Sequence, residues 1–262
     1  MSVHCDGLTE PGPEWQRLVL PGSALEHTGT TWRFLTERTL GAQYTDSQID
    51  DYQGLRRRDF KWRPPLRMTI RARFSHPSGK LMGTAGFGFW NDPFMMTGAR
   101  PPIMPRAIWF FYASPPSNMK LDIGTPGQGW KAATIDALRL PTFLLAPLAP
   151  LAIPLMNIKP LYRACWPVAQ RAINVSEAAL TAELTAWHTY TLDWGARQAR
   201  FFVDEEPVLA CDTPPRGPLG FVMWLDNQAM TVTPWGRFGY RLLEVPHQQW
   251  MEVDTLILKA TG

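Results

Sequence analysis

Two apolar stretches of this chain end in side chains that could do chemistry. GFVMWLDNQ, residues 220–228, closes on Asp226, Asn227 and Gln228, and GTAGFGFWND, residues 83–92, closes on Trp90, Asn91 and Asp92. A carboxyl at the end of a buried run must find partners or keep its proton. A desolvated Asp226 with a raised pKa is a candidate general acid or base, with Asp92 or Tyr112 to assist it. The competing reading pairs Asp226 with an arginine, Arg237 or Arg106, and gives it only a structural role. Residues two apart on a strand face the same way, so Val222, Trp224 and Asp226 share one wall. The candidate ligand contacts are therefore Trp90, Asn91, Trp109, Phe111, Trp224, Asn227 and Gln228. Alternation leaves open whether Trp109 with Phe111, or Phe110 with Tyr112, joins that wall.

The elements that must carry these residues read as strands. In RPPLRMTIRARFSH, Leu66, Met68, Ile70, Ala72 and Phe74 alternate with Arg67, Thr69, Arg71 and Arg73, so one face is apolar and the other wet or ion-paired. HTYTLDW, residues 188–194, alternates in the same way, turns at 195–198, and continues as ARFFVDEEPVL with an acidic tip at 204–206. Gly83, Gly86 and Gly88 have no side chain to pack, which marks close approach of a ligand or another backbone. RAIWFFYASPPS is a strong strand stopped by two prolines. Residues 93–105, with Met95, Met96 and Met104, form a loop that either covers an apolar ligand or fills gaps. Residues 1–30 read as an edge strand with loops, and TTWRFLTERTL as a strand or a short helix.

Three of these segments together resemble a known family. The patterns are W-H-T-Y-x-L-x-W from Trp187, R-F-F-V-D from Arg200 and P-x-x-F-V-M-W-L from Pro218, followed by the closing MEVDTLILKA. They are similar to the C-terminal half of the concanavalin A-like jelly roll of glycoside hydrolase family 16 and its non-hydrolytic cousins. The resemblance covers roughly residues 66–112 and 187–260. It implies an all-β fold, a two-sheet antiparallel sandwich. The family's catalytic strand carries E-x-D-x-E or E-x-D-x-x-E, because period-2 spacing sends every carboxyl into one cleft. The corresponding strand here, Ala107–Tyr112, has no carboxylate, and the contiguous Asp204, Glu205 and Glu206 cannot share a face. The resemblance thus implies the fold without the family's retaining glutamate pair. Relatives often carry a structural calcium; the carboxylates for one here would be Asp46, Asp50 and Asp51, which lack EF-hand spacing. No other metal or cofactor is expected.

Composition bounds the remaining choices. The chain has 262 residues, 45% of them hydrophobic and twelve of them tryptophan, enough for a large core and an aromatic-lined surface in one domain. The net charge is only +3 and Arg56–Arg57–Arg58 is the one basic run, so no nucleic-acid partner is expected. Cys5, Cys165 and Cys211 are far apart, which predicts neither a disulfide framework nor a zinc site. No apolar leader follows the N-terminus, so a cytoplasmic location is expected. His188 and His247 lack neighbours at ligand spacing and read as structural. Serine-hydrolase, P-loop and dinucleotide signatures are absent.

An insertion at about residues 132–186 interrupts the jelly roll. Its centre, residues 140–158, has no charge over a length that could cross a bilayer, but Pro141, Pro147, Pro150 and Pro154 break any such helix. The expectation is a broken cap over the sandwich, or a patch touching a membrane surface. RACWPVAQRAI and SEAALTAELTAW read as short helices, the second capped by Ser176. An apolar cap beside an aromatic cleft predicts a non-hydrolytic protein that binds an apolar or amphipathic small molecule. One alternative is an isomerase, cyclase or lyase using Asp226 on such a ligand. The other is carbohydrate binding, or a divergent glycoside hydrolase, with tryptophans stacked on sugar rings.

Overall fold

The structure is a computed structural model that describes residues 2–5, 15–40, 43–93 and 101–261. Met95 and Met96 of the expected methionine loop lie outside the described residues. The chain runs through β1 (Ser2–Cys5), β2 (Gln16–Val19), β3 (Ser23–Thr28), β4 (Thr31–Thr36) and β5 (Asp46–Asp50). It continues through β6 (Leu66–Phe74), β7 (Thr84–Trp90), β8 (Arg106–Ala113) and β9 (Gly129–Asp136). Three helices follow, α1 (Leu140–Leu145), α2 (Ala149–Leu155) and α3 (Lys159–Ala172). The second half holds β10 (Ser176–Ala179), β11 (His188–Trp194), β12 (Ala199–Val203), β13 (Glu206–Cys211) and β14 (Gly220–Asp226). It closes with β15 (Gln228–Val232), β16 (Phe238–Leu242) and β17 (Gln249–Ala260).

These strands make the two antiparallel sheets of a jelly-roll sandwich. One has the order β13-β12-β11-β6-β17-β4-β3, with β1 also on β17, and the other has the order β10-β9-β8-β7-β14-β5-β2. The alternation of β6 holds: Leu66, Met68, Ile70, Ala72 and Phe74 are buried. On the outer face Arg67 pairs with Asp193 and Arg71 with Asp254, while Arg33 and Arg73 both reach Glu252. Between the sheets Phe87, Phe110, Trp130 and Tyr190 pack against one another in edge-to-face, tilted and stacked pairs, with centroids 5.2–6.4 Å apart. At the centre of the second sheet, between the core and large aromatic side chains on the other face, all seven residues of β7 and of β14 are buried. That explains why both read as continuous apolar runs.

The helical excursion is narrower than expected, because residues on both sides of it belong to the second sheet. Ser176 does not cap a helix: Ser176–Ala179 pairs with Lys131–Thr134 as the sheet's edge. The open hydrogen-bonding groups of β9 outweigh the helical propensity of an alanine-rich segment. Residues 140–158 form α1, a 3-10 turn and α2 in succession, with Pro154 inside α2. No helix among the described residues is long and apolar enough to cross a membrane.

Candidate functional site

The outer face of the second sheet forms the floor of a cleft, and strand register assigns its residues in rows. One row runs Gln48, Trp224, Gly86, Phe111 and Lys131 across β5, β14, β7, β8 and β9. The next runs Asp50, Val222, Gly88, Trp109 and Ala133. The open parity of β8 is thereby decided: Ala107, Trp109 and Phe111 face the cleft, whereas Ile108, Phe110 and Tyr112 enter the core. A Cβ on Gly86 would sit 2.4 Å from the Phe110 carbonyl oxygen and 3.0 Å from the Trp224 ring. One on Gly88 would sit 2.5 Å from the Trp109 Cβ. These two glycines let the indoles of neighbouring strands lie down over β7. Trp109 lies 5.7 Å from Trp90, 5.5 Å from Trp224 and 5.3 Å from a nearly parallel Phe111, which makes a continuous four-ring platform.

At one end of the platform two carboxyls meet. Asp226 of β14 lies directly opposite Asp46 of β5, and both line the cleft. Residues opposed in this way have Cβ atoms about 4.5–5.5 Å apart. Asp226 Oδ1 accepts hydrogen bonds from the Thr84 amide at 3.0 Å, the Thr84 hydroxyl at 2.9 Å and the Gln228 amide at 2.9 Å. The Trp224 indole in turn donates to the Thr84 hydroxyl at 2.9 Å. Burial pushes Asp226 up to about 7, against the pull of the Gln228 and Thr84 hydrogen bonds. Asp46 is driven well above the usual carboxylate range, first by burial and then by the charge of Asp226. Tyr44 donates to Asp46 Oδ2 at 3.2 Å, and Oδ1 has no hydrogen-bond partner among the described residues. Asp226 thus ionises near neutral pH beside an Asp46 that is also raised, and two carboxyls in such different environments suit acid and base roles. At the cleft's other side buried Lys131 donates to half-buried Glu177 at 3.0 Å.

Of the residues expected to act here, Trp90, Trp109, Phe111, Trp224, Asp226 and Gln228 line the cleft together. Four do not. Tyr112 is a core residue whose hydroxyl donates to the Leu81 carbonyl at 2.9 Å and accepts from the Gly79 amide at 3.0 Å. Asn227 ties loops together, accepting from the Thr45 amide and donating to the Gln43 and Leu243 carbonyls. Asn91 binds the Arg106 amide and the Met104 carbonyl. Asp92 sits buried in a left-handed turn at φ 48°, where Arg57 donates to its carbonyl. Neither expected arginine serves Asp226: Arg106 pairs with Asp136 at 2.8 Å, and Arg237 is exposed on the β15–β16 hairpin.

The calcium expectation also needs correction. Asp46 faces Asp226, Asp50 accepts from the backbone amides of Tyr52 and Gln53, and Asp51 accepts from Trp62 and Phe221. The three point to different partners, and no group of three potential ligands among the described residues could hold a metal. Asp46 was thus legible as an acid but not as the partner of Asp226, and Thr84, Lys131 and Glu177 carried no sequence signal beyond their types. Residues 140–158 line no part of the cleft, so the expected apolar lid over it is absent.

No family model matches the chain, and no curated protein does. Solved structures do. A laminarinase from Flavobacterium sp. UMI-01 aligns with a TM-score of 0.51 at 14% identity, covering 98% of each chain. The κ-carrageenase from Pseudoalteromonas carrageenovora, solved with an oligotetrasaccharide of κ-carrageenan, aligns at 0.56 with 9% identity over 97% of this chain and 91% of that one. A glycoside hydrolase family 16 endo-glucanase from Bacteroides ovatus aligns at 0.52 with 12% identity over 97% of each chain. These neighbours are carbohydrate-active enzymes, which overturns the expectation of a non-hydrolytic protein binding an apolar small molecule. The chain has the concanavalin A-like jelly-roll fold of the glycoside hydrolase family 16 enzymes.

Proposed function

We propose that this protein is a divergent glycoside hydrolase that takes a saccharide chain into the cleft and works on it with Asp46 and Asp226. The observation that carries the reading is the opposed, buried pair of carboxyls at the end of an aromatic platform. Sugar rings present C–H faces that stack on indoles, so Trp109, Trp224 and Phe111 serve as subsites despite their apolarity. The expected cross-strand spacing of the two acids falls near the ~5 Å that retaining hydrolysis uses. Asp46, protonated, gives its proton to the glycosidic oxygen as that bond breaks. Asp226, once ionised near neutral pH and with its anion met by three donors, bonds to the anomeric carbon; water then releases the sugar while Asp46 takes the proton back. The family places its acids along one strand; here they sit across two.

The absence of any E-x-D-x-E run favours a second reading, saccharide binding without cleavage. One experiment separates the two. The protein is incubated with a panel of β-glucans, carrageenans and galactans, while new reducing ends and tryptophan fluorescence are followed. Hydrolysis predicts reducing ends that fall about 10²–10⁴-fold in Asp226→Asn with binding retained. Fluorescence change without reducing ends establishes the binding reading. No response to any saccharide, with none recovered from a wider glycan array, sinks both.

A further inference from the structure

Residues 137–176, which hold the three helices, contain Arg139, Lys159, Arg163 and Arg171 and no acid. The break at Pro147 and Pro150 does not stop α1, the 3-10 turn and α2 from presenting two apolar stripes. Thr142, Leu145, Ala149, Ile153 and Met156 are buried or half-buried against the protein. Leu144, Leu148, Leu151 and Leu155, spaced four, three and four residues apart, form the outward stripe, and all four are exposed. A surface helix normally turns polar residues to water, so a helix apolar on both faces is left with one face to cover.

The hairpin β15–β16 extends this surface. Its turn packs on the helices: Trp235 meets Tyr162 edge to face at 5.4 Å, Asn157 donates to the Trp235 carbonyl at 3.3 Å, and a Cβ on Gly236 would lie 2.5 Å from Ile153. The stretch 227–243 again has bases, Arg237 and Arg241, and no acid, and it leaves Phe238 and Tyr240 exposed. A leucine stripe beside exposed aromatic rings, in two segments that carry six bases and no carboxylate and with Asp122 tied to Gln170 of α3, matches a monolayer of acyl chains under anionic headgroups. A second copy of the chain would bring six like charges face to face.

We infer that α1–α3 and the β15–β16 hairpin dock this protein on an anionic lipid bilayer, with α1 and α2 lying in the headgroup boundary rather than crossing it. Leu121, which accepts the Trp166 indole hydrogen bond, lines the cleft, as do Met230 and Val232 of the hairpin. Docking therefore holds the cleft beside the membrane, and this inference does not depend on what the cleft binds.

The test is flotation of the full chain with phosphatidylcholine vesicles, with or without phosphatidylglycerol. The wild type is expected to rise with the phosphatidylglycerol vesicles and to be at least about fivefold less abundant in the float at high salt or without anionic lipid. Leu144→Glu with Leu151→Glu, at positions 67% and 73% exposed, is expected to fold normally and stay at the bottom. Lys159→Glu with Arg163→Glu, which leaves the leucines intact, is expected to weaken flotation about fivefold or more. The inference fails if the wild type stays at the bottom with both vesicles, or if the leucine variant floats like the wild type. It also fails if the wild type is a dimer that the leucine variant splits while neither binds lipid.

Discussion

The ionisation of Asp226 is controlled by few atoms, and Thr84 supplies two of them. Its hydroxyl donates to Asp226 while accepting from Trp224, so it favours the Asp226 carboxylate. Thr84→Val keeps the amide hydrogen bond but loses the hydroxyl one. In a hydrolase the acid limb of the pH–rate profile should then move up by about one pH unit, read from kcat/KM between pH 4 and 9. A profile that does not move would show that Asp226 is not the titrating group. Trp109 has a different task, since it touches three other rings of the platform and no acid. Trp109→Ala should weaken saccharide binding by about 1–3 kcal/mol in a fluorescence or calorimetric titration, with the pH profile unchanged.

At the scale of elements, the two faces of the sandwich depend on different devices. On the outer sheet Glu252 of β17 is buried and receives Arg33 of β4 at 2.6 Å and Arg73 of β6 at 2.7 Å, which ties three adjacent strands. Trp187 and Trp250 lie against the same guanidinium groups, 4.9 and 5.3 Å from Arg73. Burial pushes Glu252 up, but the hydrogen bonds from Arg33 and Arg73 outweigh it and hold the carboxyl below its usual range. Both arginines are more than a third exposed, so solvent discounts the pair. Glu252→Gln should cost about 1–2 kcal/mol in a urea titration at pH 7, less at pH 3. On the cleft sheet the device is the absence of a side chain. Gly86→Ala drives a methyl into the Phe110 carbonyl, and should cost about 2–3 kcal/mol by pushing β7 from β8. The first substitution tests an ion pair and the second tests packing.

At the scale of the molecule, buried acids set the dependence of stability on pH. Asp226 at about 7, Asp51 at about 6 and Asp46, raised well above the usual carboxylate range by burial, keep protons in the folded state that the unfolded chain gives up near pH 4. Between about pH 4 and 7 the folded state thus binds more protons, and stability falls as pH rises. Glu252 and Asp204, held low, work the other way: their contribution is present above their unfolded values and is lost as pH falls. The melting temperature should therefore peak on the acid side of neutrality. Asp226→Asn should raise it by about 2–4 °C at pH 8 and leave it unchanged at pH 4, in scanning calorimetry.

Much of this fold was legible because alternation is a local property. The arginine face of β6, the strands β11, β12 and β14, and the resemblance to the jelly roll all follow from residues close together in the chain. The types of the cleft residues were legible for the same reason: aromatic strands that end in acids. Pairing is not local. Asp46 and Asp226 become opposed only because β5 and β14, distant in sequence, lie side by side in one register, and no spacing within either strand encodes that. The direction of Tyr112, the separate duties of Asp46, Asp50 and Asp51, and the strand at Ser176 were likewise decided by what lay alongside. Residue order alone marked the strongly alternating strands and the residues whose types could do chemistry. The tertiary structure decided which of them meet, because a strand's two faces are equivalent until the sheet assigns one to the core and the other to the cleft.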